Sequence, residues 1–151
     1  MTIFCDTNII MEFLQQRRYS AEVSRILTNA LQTDDKLLIS VGSFYTITYL
    51  TEKYLKADLS LSKKERIDRL REILKSILTS FKFADLSTSS IKDGVNDQAF
   101  SDLEDSYQAH VAEDCGCEVL LTINKQHFKY FANSSHIKVL TPVEFIDQYN
   151  E

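Results

Sequence analysis

Between Asp93 and Asn124 the chain carries eight acids, at positions 93, 97, 102, 104, 105, 113, 114 and 118, and neither a lysine nor an arginine. That stretch has a charge of −8. The rest holds 14 acids against 17 bases, so a net charge of −5 is an acidic block set against a body of +3. Asp102, Glu104 and Asp105 stand at the opening of a helical pattern, and Asp6 directly follows the strand-forming run Thr2 to Cys5. Carboxylates that converge without basic partners repel one another. A hard divalent cation, Mg²⁺ or Mn²⁺, relieves that repulsion because it takes oxygen ligands and keeps several waters. Such an ion suits phosphodiester hydrolysis: it lowers the pKa of a bound water, polarises the phosphoryl group and stabilises the leaving oxygen. The same acids have structural uses. Asp6 is placed to cap a helix beginning at Thr7, and Ser101 with Glu104, or Asp102 with Asp105, fits a capping box or a charge on the helix dipole.

The elements that position these acids are legible from periodicity. Ile9, Ile10 and Phe13 recur at helical spacing after Asp6, and Val23, Ile26, Leu27 and Ala30 mark a second helix ending at Thr33 to Asp35. Leu37 to Val41 reads as a strand buried on both faces, punctuated by Gly42 and Ser43. Phe44 to Leu55 gives a third helix. Ser62 opens a fourth, with Ile67, Leu70, Ile73, Leu74, Ile77 and Leu78 on one face. Phe81 to Leu86 alternates like a strand, and Ser87 to Gln98 is a helix expected to break at Gly94. A helix through Leu103, Tyr107, Val111 and Ala112 stops at Gly116, and strands follow at Val119 to Ile123 and Ile137 to Leu140. Thr141, Pro142 and Glu144 combine an N-cap, a first-turn proline and a capping-box acid for a last helix. Strands alternating with helices predict a three-layer α/β/α fold around a mainly parallel sheet of about five strands, with residues 1–151 as a single domain. In such sheets the site lies at the carboxyl ends of the strands, where Asp6 falls.

Composition narrows the function. Three glycines, at 42, 94 and 116, admit neither a G-x-G-x-x-G turn nor a phosphate-cradling P-loop. A pI of about 5.2 is unlike a protein that grips nucleic acid over its whole surface. Three cysteines, no secretory signal and no long apolar segment predict a soluble, cytoplasmic protein with no disulfide framework and no membrane partner.

The segments I-F-C-D-T-N-I-I, I-S-V-G-S-F-Y-T-I-T-Y-L, D-L-E-D-S-Y-Q and L-L-T-I-N-K-Q-H-F, followed by V-L-T-P-V-E-F, resemble a PIN domain in order and spacing along nearly the whole chain. The similarity is nearest to single-domain bacterial PIN proteins, many of them toxin ribonucleases paired with an antitoxin. It implies a metal-dependent endoribonuclease using Mg²⁺ or Mn²⁺, with RNA as substrate, an antitoxin protein as partner and a homodimer as assembly. By the same resemblance Asp6 and Asp105 match the family's metal-binding acids, Glu104 and Asp102 match additional acids of this branch, and Asn8 supports the first acid. The family usually has a glutamate where Thr46 stands, an aspartate at Asn124 and an aspartate at His127. Asn124 and Thr46 retain neutral oxygens that can support a ligand set without adding charge. Those departures favour the alternative, a catalytically degenerate PIN module that binds nucleic acid or a protein without cleaving it. An aspartyl phosphatase would need D-x-D after the first strand, and Asn8 replaces its second acid.

Nine basic residues between Lys53 and Lys82 are expected to form a solvated helix surface, with Glu65 and Arg69, and Glu72 and Lys75, at pairing distance; a phosphate-tracking face is the alternative. Tyr45 and Tyr49, four apart on an apolar helix, are expected in the core, with base stacking as the alternative. Cys115 and Cys117 are expected to be buried thiols around a helix stop. His110 and His136 are expected to be structural or superficial, whereas His127 falls near the expected site and is a candidate ligand or phosphate contact.

Overall fold

A computed structural model of the chain describes residues 1–149. Five strands, β1 (Thr2–Cys5), β2 (Lys36–Ser40), β3 (Lys82–Ala84), β4 (Val119–Leu121) and β5 (Lys138–Leu140), form one sheet in the order β3-β2-β1-β4-β5. Every pairing is parallel. The chain builds outward from β1 to β2 and β3, then returns to β1's other flank with β4 and β5. The order therefore reverses at β1, and the crevice beyond the carboxyl ends of β1 and β4 is where ligands bind in open α/β sheets.

Alternation along the strands explains the layers. Ile3, Cys5, Leu37, Ile39, Val119 and Leu121 point into one core, against α1 (Thr7–Leu14), α2 (Ser20–Gln32), α3 (Val41–Lys56), α4 (Lys63–Ser80) and α8 (Pro142–Tyr149). Phe4, Leu120 and Val139 point the opposite way, onto Ala109 and Ala112 of α6 (Leu103–Asp114) and Phe131 of α7 (Lys129–Ser134). Strands buried on both faces need apolar residues at consecutive positions, which is why they read as continuous runs.

The helix boundaries follow local chemistry. Ser62 and Glu65 form a reciprocal capping box on α4, and Thr141 with Glu144 does the same for α8. Gly116, at φ +62°, takes the left-handed turn after α6. Gly94 does not break its helix. It sits inside a continuous α5 (Thr88–Asn96), where a Cβ would come 2.6 Å from Tyr107 Cδ1 on α6. The missing side chain serves close helix contact, and Ser106 Oγ donates to the Gly94 carbonyl at 2.8 Å. Gly42 and Ser43 likewise lie within the first turn of α3, with Ser40 Oγ accepting from Ser43 N–H. Leu78 is exposed rather than on α4's buried face. Between β4 and β5 the chain forms a 3-10 helix (Lys125–Phe128) and α7, which periodicity does not reveal because both are short.

Candidate active site

Asp6 leaves the end of β1 with its N–H bonded to the Leu121 carbonyl, so the strand pairing itself fixes where its side chain begins. It occupies the N-cap position of α1 with extended backbone, yet its carboxylate makes no capping hydrogen bond. Instead Oδ2 accepts from Asn8 Nδ2 at 2.7 Å and Thr122 Oγ1 at 2.8 Å, and Oδ1 lies 3.5 Å from Gln108 Nε2. Asp6 is 2 % exposed and has no ion-pair partner among the described residues. Burial pushes its carboxyl up to about 7; the Thr122 and Gln108 hydrogen bonds oppose that rise and the neighbouring Asp105 charge adds to it.

The second acid arrives on α6. Asp102 is the helix's N-cap, and its Oδ1 accepts from Glu104 N–H at 2.9 Å and Asp105 N–H at 3.3 Å. That cap sets the direction of the two acids that follow. Asp105 is buried, and its Oδ2 is 2.7 Å from His127 Nδ1. Burial raises the Asp105 carboxyl, the His127 hydrogen bond and charge oppose the rise, and Asp102 reinforces it. Glu104 stays exposed, its Oε1 accepting from Thr7 Oγ1 at 3.0 Å. Asp6, Asn8, Thr46, Asp102, Glu104 and Asp105 all line one cleft of about 180 Å³. Arg17, the sole basic residue lining it among the described residues, has its guanidinium on Gln15 Oε1.

Asn124 does not line that cleft, although Thr122 Oγ1 links its backbone to Asp6. It is exposed after β4 and contributes backbone only, its N–H bonding Thr122 Oγ1 and its carbonyl accepting from His127 N–H. Beneath the cleft runs a polar network that sequence reasoning missed. Gln108, 2 % exposed, donates through Nε2 to Thr7 Oγ1 and Ser43 Oγ, and accepts at Oε1 from Ser40 Oγ at 2.8 Å. It joins α6 to the carboxyl ends of β1 and β2. The available signal was its place one turn after Asp105, polar among Ala109, Val111 and Ala112.

Tyr45 and Tyr49 are not core residues: they are 74 % and 63 % exposed. The buried face of α3 is formed by Ser43, Ile47, Thr51 and Leu55, which leaves the tyrosines on its outer flank, beside Thr46. The basic surface of α4 carries the expected Glu72–Lys75 pair at 2.8 Å, together with Lys64–Asp68. Cys5 and Cys117 are buried and Cys115 half-buried, all as free thiols. His110 pairs with Asp97, and His136 is exposed.

Among the described residues no three His, Cys, Asp or Glu side chains are gathered into a cluster that could hold a metal ion. A pair of carboxylates is nevertheless what Mg²⁺ ordinarily uses, with waters and substrate phosphate filling the remaining positions. Asp6 and Asp105 provide hard oxygens, each raised by burial, and the charge of Asp105 raises Asp6 further. The Asp6 charge, without an ion pair among the described residues, suits a divalent cation.

A parallel α/β sheet whose central strand delivers a buried carboxylate into an acid-lined cleft at the switch point defines the class of protein. Residues 2–126 match the family model described as PIN domain, and the chain belongs to that family. A relative, Ribonuclease VapC1 of Aquifex aeolicus (strain VF5), is 29 % identical over 153 residues, covering 98 % of this chain and 95 % of its own. Similar folds occur in the crystal structure of VapBC2 from Rickettsia felis bound to a DNA fragment from their promoter (TM-score 0.68, 16 % identity, 93 % of this chain and 98 % of that one). FitAcB from Neisseria gonorrhoeae is also similar (TM-score 0.62, 20 % identity, 93 % and 98 % covered). No helix among the described residues is long and apolar enough to cross a membrane.

Proposed function

We propose that this chain is an endoribonuclease dependent on Mg²⁺ or Mn²⁺, acting as one domain over residues 1–151 in the cytoplasm, with an antitoxin protein and a second copy of itself as partners. The observation that carries this proposal is the buried Asp6 at the carboxyl end of β1, without an ion pair among the described residues, in one acid-lined cleft with Asp105 of α6. Similarity to a protein named as a ribonuclease supports the reaction class.

Asp6 and Asp105 would hold the ion, with Glu104 beside them, and Asn8 and Thr46 as neutral supports. When bound, the ion would supply positive charge beside the carboxylates and acidify an attacking water. The chain's own residues do the rest. Asn8, Thr122 and Gln108 hold Asp6 in one orientation, and Asp102 fixes the start of α6, so that each carboxylate is held in place before an ion arrives. Glu104, steadied at Oε1 by Thr7, is the candidate proton acceptor, and Arg17 at the rim is placed to meet phosphate.

The test is cleavage of a single-stranded RNA by the purified protein with Mn²⁺, alongside Asp6→Asn and Asp105→Asn. Cleavage lost in both variants and in EDTA supports the nuclease; equal activity in all three is a contaminant and refutes it. Binding of RNA without cleavage would favour the degenerate module, the reading to which Thr46, Asn124 and the absence of a three-acid cluster among the described residues point. Substrate contact beyond the cleft falls to Tyr45 and Tyr49, one turn apart beside Thr46. Stacking of an unpaired base contributes about 1–3 kcal/mol. Replacing both tyrosines by alanine is expected to raise KM roughly tenfold or more with kcat nearly unchanged, measured by steady-state cleavage. An unchanged KM removes them from the RNA path.

A further inference from the structure

His127 stands where the resemblance leads one to expect an aspartate, and it contacts an acid of the cleft directly. Its Nδ1 is 2.7 Å from Asp105 Oδ2. When Asp105 is ionised its carboxylate can only accept, and Nδ1 is then the donor of this bond. Both ends of the bond are anchored independently. Asp105 sits in the first turn of a helix capped by Asp102. His127 sits on the 3-10 helix, next to the fully buried Phe128, whose ring meets Phe100 edge-on at 5.8 Å. The His127 N–H is tied back to the Asn124 carbonyl at 2.9 Å. The Asp105 side chain is 11 % exposed and that of His127 50 %.

We infer that His127 is a positioning residue: by occupying Asp105 Oδ2 it fixes the carboxylate's rotation and leaves the other oxygen, Oδ1, as the one offered to a cation. This rests on the metal-site reading above. Partners of this kind, which orient a ligand without touching the metal, are worth about 10–100-fold in metal affinity. The imidazole end of the pair is half-exposed, so removing it disturbs folding far less than metal affinity. Function and stability therefore separate, and a purely structural histidine would not show that separation.

The test uses the full chain, with Mn²⁺ titrated calorimetrically into the native protein, His127→Ala and His127→Asn, and a thermal melt of each without metal. Asparagine places an amide nitrogen the same number of bonds from Cα as Nδ1 and can donate to the same oxygen. The expected result is Mn²⁺ affinity about tenfold weaker in His127→Ala, near native in His127→Asn, and melting temperatures that barely differ. Unchanged affinity in His127→Ala overturns the inference, as does tighter binding, which would make His127 a competitor of the cation. Asparagine as weak as alanine overturns it too. A native chain that binds no Mn²⁺ refutes the metal-site reading itself and this inference with it.

Discussion

Replacing Asp6 by asparagine is expected to raise the melting temperature in metal-free buffer at pH 8 by roughly 8–16 °C and to leave it almost unchanged near pH 4. The folded protein holds the Asp6 carboxyl at about 7 because it is buried, hydrogen-bonded by neutral groups and close to Asp105. In the unfolded chain it titrates near the ordinary value of about 3.9. A folded pKa above the unfolded one means the native state binds the extra proton. Stability on account of this group is greatest below about pH 4, falls as pH rises, and is fully lost above about pH 7. A shift of that size corresponds to about 4 kcal/mol. Asparagine removes the titration at little structural cost. Asn8 Nδ2 and Thr122 Oγ1 both address Oδ2, so one amide oxygen there keeps both bonds, while the amide nitrogen faces Gln108 Nε2 across a contact already 3.5 Å long. Mn²⁺ should stabilise the native protein and not the variant, since an ion stabilises only the state it binds. A variant that melts lower than native at pH 8 would mean that Asp6 is a structural hydrogen-bond acceptor and not a strained ligand.

The substitution Gln108→Glu is expected to destabilise the metal-free protein by about 3–5 kcal/mol at pH 8, with much of the loss recovered toward pH 5. Gln108 is an isosteric amide at the centre of the buried network. Its Nε2 serves Thr7, Ser43 and Asp6, and its Oε1 accepts a hydrogen bond from the Ser40 hydroxyl. A glutamate there loses the donors and puts a second carboxylate against Asp6. Two acids that share a buried site cannot both ionise, so the introduced carboxyl has a raised pKa and its penalty grows as pH rises. Gln108→Leu, which removes hydrogen bonds without adding charge, should cost about 1–3 kcal/mol with no such pH dependence. Urea denaturation at the two pH values measures both. Equal, pH-independent losses would mean that Gln108 does not face Asp6.

These two residues also mark what the sequence could and could not reveal. Asp6 is legible because a charged residue that ends a buried parallel strand has one place to go, the carboxyl edge of the sheet. Asp102, Glu104 and Asp105 are legible because acids at a helix start have a fixed spacing and a known polarity. Periodicity alone does not divide those acids between roles. Asp102 is spent on the cap while Asp105 turns inward, a distinction of about one turn that only the docked helix decides. Gln108 was hidden because a neutral polar residue in an apolar stripe gives no chemical signal until its partners from β1 and β2 are placed. Tyr45 and Tyr49 misled for a related reason: α3 is apolar on more of its circumference than the sheet can cover, so aromatic content did not identify the buried face. Gly94 reads as a break because a glycine that permits close helix contact and one that ends a helix look alike in sequence.

If Asp6 and Asp105 hold a metal ion together, a single cation sits between their carboxylates. The most direct measurement is an anomalous difference map at the manganese edge from crystals grown in MnCl₂. A peak between the two carboxylates, absent in the Asp6→Asn protein, is the predicted result. A native map with no peak there, or with manganese bound only elsewhere, would contradict the claim.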